Sequence, residues 1–290
     1  MRSWTEKIPR LLFASAASCA ILIVALIFLF LGREAAPFAV EPGLSALFDI
    51  RWIPVSFQQI RFGLLPLLSG SLLVTVLATI ITIPFSIISA VYIAELARPL
   101  EREILKPFIE ILAAIPSVVI GFFGLVVLAP LVKSLFNLES GLSALTGALL
   151  LALMAIPTVI SISEDAIRSV PEVYKRASMA LGASEMQTIW RVTVPAAMPG
   201  IVAAVMLGMG RIIGETMVVL MVTGNAGIIT LIPSESVRTM TATIAAEMGE
   251  VSFGSSHYRA LFCVGIVLLL ITFVLNIFAQ RVMERHGMRS

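Results

Sequence analysis

Apolar residues run along this chain in blocks far longer than a soluble core uses, broken by short stretches that collect nearly all the charge. Six blocks, 11–31, 62–94, 111–132, 141–163, 192–222 and 260–280, carry no charged side chain except for two residues in the fifth. Each is long enough to cross about 30 Å of hydrocarbon as a helix, which rises about 1.5 Å per residue. The pattern predicts an all-α membrane protein with six spans. The first block's 21 uncharged residues exceed the apolar run of a cleavable leader, so a retained helix after a tail over 1–10 is expected.

Lys and Arg orient the spans. With both termini inside, 13 of them fall on the cytoplasmic side and 6 outside, with Arg211 left within the fifth span. Positive charge favours the cytoplasmic side, so the expectation is N-in, C-in. In the outer loop 32–61, Trp52 is a candidate interfacial anchor.

Composition supports the pattern. Of 290 residues 59% are hydrophobic and 13% charged, against about 25% charged in soluble chains. Net charge is +2 with no basic patch interleaved with aromatics, so nucleic acid is not expected as a partner. None of the four lysines, Lys7, Lys106, Lys133 and Lys175, lies in a phosphate-binding Gly-rich loop. No nucleophile elbow or zinc-protease motif occurs. His257 and His286 lack neighbours at metal-ligand spacing. Cys19 and Cys263 fall within spans as small apolar packers. The chain does not read as an enzyme, and no cofactor or metal is expected.

Arg211 and Glu215 are the only charges between Val192 and Ser234. An Arg at a helix centre costs about 2.5–3.5 kcal/mol by insertion scales, so it must face a partner, the bundle interior or water. On one continuous helix the two would lie a turn apart, either neutralising each other or serving a polar path. Counting from Pro195, Arg211 lies some 22 Å from the cytoplasmic side, in the outer half of the bilayer. Ala196, Gly200, Ala204 and Gly208 form a small-residue stripe on the same helix, with Gly210 and Gly214 a second pair. The stripe implies close approach of another helix, in this chain or another subunit. Pro116 and Pro157 stand in near-identical contexts, Ala114-Ile115-Pro116-Ser117-Val118 and Ala155-Ile156-Pro157-Thr158-Val159. Both are expected in the cytoplasmic third, as ordinary span prolines or as kinks lining a gate.

The cytoplasmic segment 164–195 is the most organised stretch between spans. Ser169-Val170-Pro171-Glu172 has capping-box spacing, and a helix over 173–181 should stop at Gly182. Ser184 is placed to cap a second short helix ending near Val194, before Pro195.

Within that segment, Arg176-Ala177-Ser178, three residues, Gly182, nine residues and Val192-x-Val194-Pro195 resemble the EAA motif of ABC importer permeases. Arg176 stands where the family has Glu, and Ser178 where it has Ala. The stretch Gly210-Arg211-Ile212-Ile213-Gly214-Glu215-Thr216-Met217 with Gly224-Asn225 narrows the likeness to permeases of phosphate-specific (Pst) transporters, and to their C-type subunits. Trp52-Ile53-Pro54, Ile115-Pro116-Ser117-Val118-Val119 and Thr241-Ala242-Thr243-Ile244-Ala245 extend it over nearly all but the first span. The resemblance implies a type I importer transmembrane domain over 11–290, importing phosphate with ATP hydrolysed by a separate subunit. It also implies an A-type permease partner, an ATPase dimer on the cytoplasmic face, an extracytoplasmic phosphate-binding protein and surrounding membrane lipid. On this reading Arg211, Glu215 and Thr216 line the substrate pathway. Arg176, Ala177, Ser178, Gly182, Ala183 and Pro195 couple to the ATPase. Another oxyanion (sulfate, molybdate or phosphonate), a phosphate-sensing scaffold and a stand-alone channel are the alternatives.

Overall fold

The computed structural model describes residues 4–56 and 59–285, so His286 and the first three residues of the expected tail lie outside the described residues. The chain folds as helices α1 (Trp4–Ala35), α2 (Leu64–Val91), α3 (Pro99–Ala113), α4 (Ser117–Phe123), α5 (Ala129–Phe136) and α6 (Ala144–Arg168). It continues as α7 (Glu172–Ala180), α8 (Glu185–Thr188), α9 (Val194–Gly214), α10 (Met217–Val222), α11 (Met240–Glu247) and α12 (Ser256–Arg285). A hairpin pairs β1 (Trp52–Ile53) antiparallel with β2 (Arg61–Phe62), Trp52 opposite Phe62.

Among the described residues, six helical segments are long and apolar enough to cross a membrane: Pro9–Ala39, Leu64–Leu96, Ser117–Phe136, Ala144–Arg168, Glu185–Gly214 and Ser256–Phe278. The six-span expectation holds, with two corrections to the elements. The third block does not start a span at 111. α3 stops at Ala113 because Pro116 has no N–H to extend the ladder and disfavours helical geometry just before it. The fifth block is not one helix to 222, because α9 ends at Gly214 and Glu215 is extended (φ −70°, ψ 133°).

α6 is the axis of the bundle, buried along most of its length between α2 and α9. The small-residue stripe finds its partner within the chain. A side chain at Gly200 would strike Ala166, and one at Gly208 would strike Val159, both on α6. Gly210 and Gly214 face open space. Around α6, buried Val74, Leu151, Met154 and Val218 form the central cluster. Phe38, Trp52, Phe62 and Leu261 pack one end of the molecule, and Val91, Ile167, Ile189 and Ile201 the other.

At that second end the capping box expected at Ser169 does not form. Pro171 precedes α7 without a side-chain cap, and Ser169 Oγ donates instead to the Ala166 carbonyl. α7 ends where expected, with Gly182 in the left-handed region (φ +87°) that glycine enters without strain. Ser184 does cap α8, in a reciprocal pair with Gln187. The second short helix is not separate, however. α8, a π-helical turn over Ile189–Thr193 and α9 form one rod, the wide turn accommodating Pro195 at the start of α9. Cys263 is buried, but Cys19 is exposed on α1 and packs against nothing in this chain's core. Trp52 is buried rather than an interfacial anchor.

Candidate functional site

Arg211 stands in the last turn of α9, half-buried, and reaches sideways rather than along its own helix. Its Nη1 donates to Thr158 Oγ1 on α6 at 3.0 Å, and its Nη2 to the Ala113 carbonyl at 3.5 Å. The second acceptor follows from the broken third block. A continuing helix would pair the Ala113 carbonyl with the N–H four residues on, whereas Ser117 instead starts α4. The guanidinium fills that vacancy. Arg211 therefore joins the end of α3, just before one Ala-Ile-Pro segment, to the middle of the 25-residue α6 within the other.

Glu215 does not pair with Arg211. Among the described residues no carboxylate comes within 4.0 Å of the guanidinium. Glu215 Oε1 instead accepts from the backbone N–H groups of Met217 (3.1 Å) and Val218 (3.4 Å), the first two of α10, which the N-cap Thr216 side chain leaves free. Its carbonyl accepts from Thr241 Oγ1 at 2.9 Å, and Thr216 Oγ1 donates to the Gly214 carbonyl. The two side chains therefore form no direct ion pair, although they face the same crevice. Arg211, Glu215, Leu151 and Met154 line one narrow crevice. Two of five guanidinium N–H donors meet neutral acceptors. The positive charge is held in place by neutral acceptors, with no direct ion pair among the described residues, an arrangement suited to receiving an anion.

The other candidate residues gather on and after α7. Arg176 is 77% exposed, with Glu172 3.8 Å away its nearest carboxylate. Ser178 and Thr188 hydroxyls lie 2.9 Å apart, tying α7 to the rod that carries Arg211. Gly182 is the turn, Ala183 N–H donates back to the Ser178 carbonyl, and Pro195 lies farther along the rod. Leu181, 90% exposed, projects from the same tip.

Three further polar groups escaped the sequence reading. Thr158 lay inside a recognised repeat but had no assigned role; its place opposite Arg211 needs the packing of α6 on α9. Lys106 on α3 meets buried Glu164 (2.8 Å) and Asp165 (2.9 Å) on α6. The hydrogen bond to Glu164, then that to Asp165, holds the Lys106 ammonium above the usual lysine value. At the opposite end, Glu247 accepts from Trp52 Nε1 and Arg238 Nη1 and lies 2.8 Å from His257 Nε2. His257 is therefore partnered, although among the described residues no His, Cys, Asp and Glu cluster could hold a metal.

Residues 82–286 match the family described as "binding-protein-dependent transport system inner membrane component". The chain is 36% identical over 275 residues to a probable ABC transporter permease protein, YqgH, of Bacillus subtilis, covering 93% of this chain and 89% of that one. It is 34% identical over 268 residues to the phosphate transport system permease protein PstC of Mesorhizobium japonicum (86% and 80% covered). It is 31% identical over 287 residues to PstC of Xylella fastidiosa (92% and 86% covered). A solved bacterial alginate ABC transporter, in complex with an alginate pentasaccharide-bound periplasmic protein, superposes with TM-score 0.67 at 16% identity over 98% of both chains, a likeness of fold.

Proposed function

The chain belongs to the family of binding-protein-dependent transport system inner membrane components, and on that premise we propose that it is the permease of an ATP-driven importer of inorganic phosphate. As a member of that family it is a multi-pass subunit of the cell inner membrane and not an enzyme. The substrate reading is carried by Arg211. A fixed guanidinium with no direct ion pair, beside a narrow crevice, offsets part of the dehydration cost of a phosphate, whose oxygens match its fork. Relatives named as phosphate permeases support the same choice. Glu215, held by the α10 N–H groups on the same crevice, keeps the site from trapping the anion, since a conducting site must also release it. Thr216 completes the pathway.

By the positive-charge bias, α7 lies on the cytoplasmic face. There it docks on an ATPase dimer through Arg176, Ala177, Ser178, Gly182 and Ala183, with Pro195 on the rod behind. An A-type permease pairs with this chain in the membrane, and an extracytoplasmic phosphate-binding protein delivers substrate. The test is uptake of radiolabelled phosphate into liposomes bearing the co-purified complex, with sulfate, molybdate and phosphonate as competitors. Phosphate alone should compete and uptake should require ATP. Inhibition by another oxyanion at equal concentration, or uptake without ATPase subunits, would overturn the assignment.

A further inference from the structure

α7 is held to the rest of the molecule by remarkably little apolar surface: none of its residues is buried. Two polar ties restrain it. The Ser178–Thr188 hydroxyl pair joins it to the rod that ends at Arg211. Lys175 Nζ, 2.7 Å from Glu95 Oε1, joins it to the π-helical turn Tyr92–Leu96 that closes α2. Both side chains of this pair are largely shielded, 14% and 10% exposed. It is thus unlike the exposed Arg176–Glu172 contact, whose type contributes little.

The turn that receives Lys175 is gripped from its other side as well. Arg102 on α3 donates through Nε to the Ile93 carbonyl (2.9 Å) and through Nη2 to the Ala94 carbonyl (2.6 Å). These are end carbonyls of a helix, which need donors. α3 then runs to Ala113, whose carbonyl is the one Arg211 holds. Two routes therefore leave α7 and meet at one guanidinium. The rod carries Arg211 itself. Lys175, Glu95, Arg102 and α3 carry its acceptor.

We propose that Lys175, Glu95 and Arg102 are positioning residues that deliver a displacement of α7 to α3, changing how the Ala113 carbonyl engages Arg211 and so how many guanidinium donors face the substrate. The proposal rests on the assignment of α7 as the ATPase-docking element. It also gives Lys175, beside the position where Arg176 departs from the family's motif, a role within this chain instead of at the docking face.

The experiment uses the complete importer in liposomes and reads phosphate taken up per ATP hydrolysed, with basal ATP hydrolysis measured in parallel. Lys175→Met, Glu95→Gln and Arg102→Gln should each assemble, retain basal hydrolysis and lower uptake per ATP about tenfold, within the range of coupling energies carried by such contacts. Lys175→Arg should couple as the wild type does, and the exchanged pair Glu95→Lys with Lys175→Glu should recover at least half of the wild-type ratio. A merely structural role would lower uptake and hydrolysis together and leave their ratio unchanged. Wild-type stoichiometry in the single variants overturns the linkage alone, and so does an exchanged pair that stays uncoupled or fails to assemble. If the wild-type complex itself imports phosphate without ATP, the functional reading falls and takes the linkage with it.

Discussion

Ala114-Ile115-Pro116-Ser117-Val118 and Ala155-Ile156-Pro157-Thr158-Val159 differ only at Ser117 and Thr158, yet Pro116 separates two helices while Pro157 lies inside one. The difference comes from what surrounds them. Pro157 is buried on α6 between α2 and α9, and packing on both sides, with Ser86 of α2 donating to the neighbouring Ile156 carbonyl, keeps the helix continuous past it. Around Pro116, residues 111, 114, 118 and 119 are exposed, and little packing opposes the break. A helix break then leaves a carbonyl to satisfy, and Arg211 satisfies it while holding Thr158 of the sister segment. One proline makes the vacancy; the other lies beside a fixed post on the opposite side of the guanidinium.

The comparison can be broken most strongly at Pro116. Pro116→Ala removes a barrier of about 3 kcal/mol to a continuous helix, so we expect α3 and α4 to fuse, the Ala113 carbonyl to turn to Ser117, and uptake to fall more than about tenfold. Uptake assays with helix content by circular dichroism check this. Thr158→Val removes the other acceptor. A hydrogen bond to a charged group contributes about 1.5–3 kcal/mol, and we expect roughly a tenfold rise in the phosphate concentration for half-maximal uptake. A smaller effect concerns how α3 is held on α6. Lys106 has a folded pKa above its unfolded value, so its contribution to stability is complete below about pH 10.4 and is lost as pH rises through the folded value. The thermal midpoint of the detergent-solubilised protein should therefore fall more steeply than that of Lys106→Met as pH rises above about 10.4. Pro157→Ala should do least, changing uptake by under about twofold, because packing already enforces the helix there.

Much of this was legible in the sequence, because six long apolar blocks, a glycine stop and a serine cap each act locally. Gly182 and Ser184 fall where their chemistry put them. The helix end at Gly214 was not legible. The residues after it remain apolar and helix-compatible, and only the Glu215 carboxylate turning onto Met217 and Val218 shows that a new helix begins. Trp52 looked like a membrane anchor because its partner, Glu247, is 195 residues away in the chain. Arg211 announced itself by its cost in an apolar run, whereas Thr158 and the Ala113 carbonyl are set by the packing of α6 and the interruption after α3. Charges in the wrong solvent are visible in one dimension; their acceptors are not.

On the proposed function, Arg211 is a positive charge held by neutral acceptors for an anion. The most direct test of that role is ATP-driven uptake of radiolabelled phosphate by a complex carrying Arg211→Gln, assembled and purified beside the wild type. The variant complex is expected to keep the same subunit composition and basal ATP hydrolysis, with uptake abolished. Uptake at the wild-type rate in that variant would contradict it.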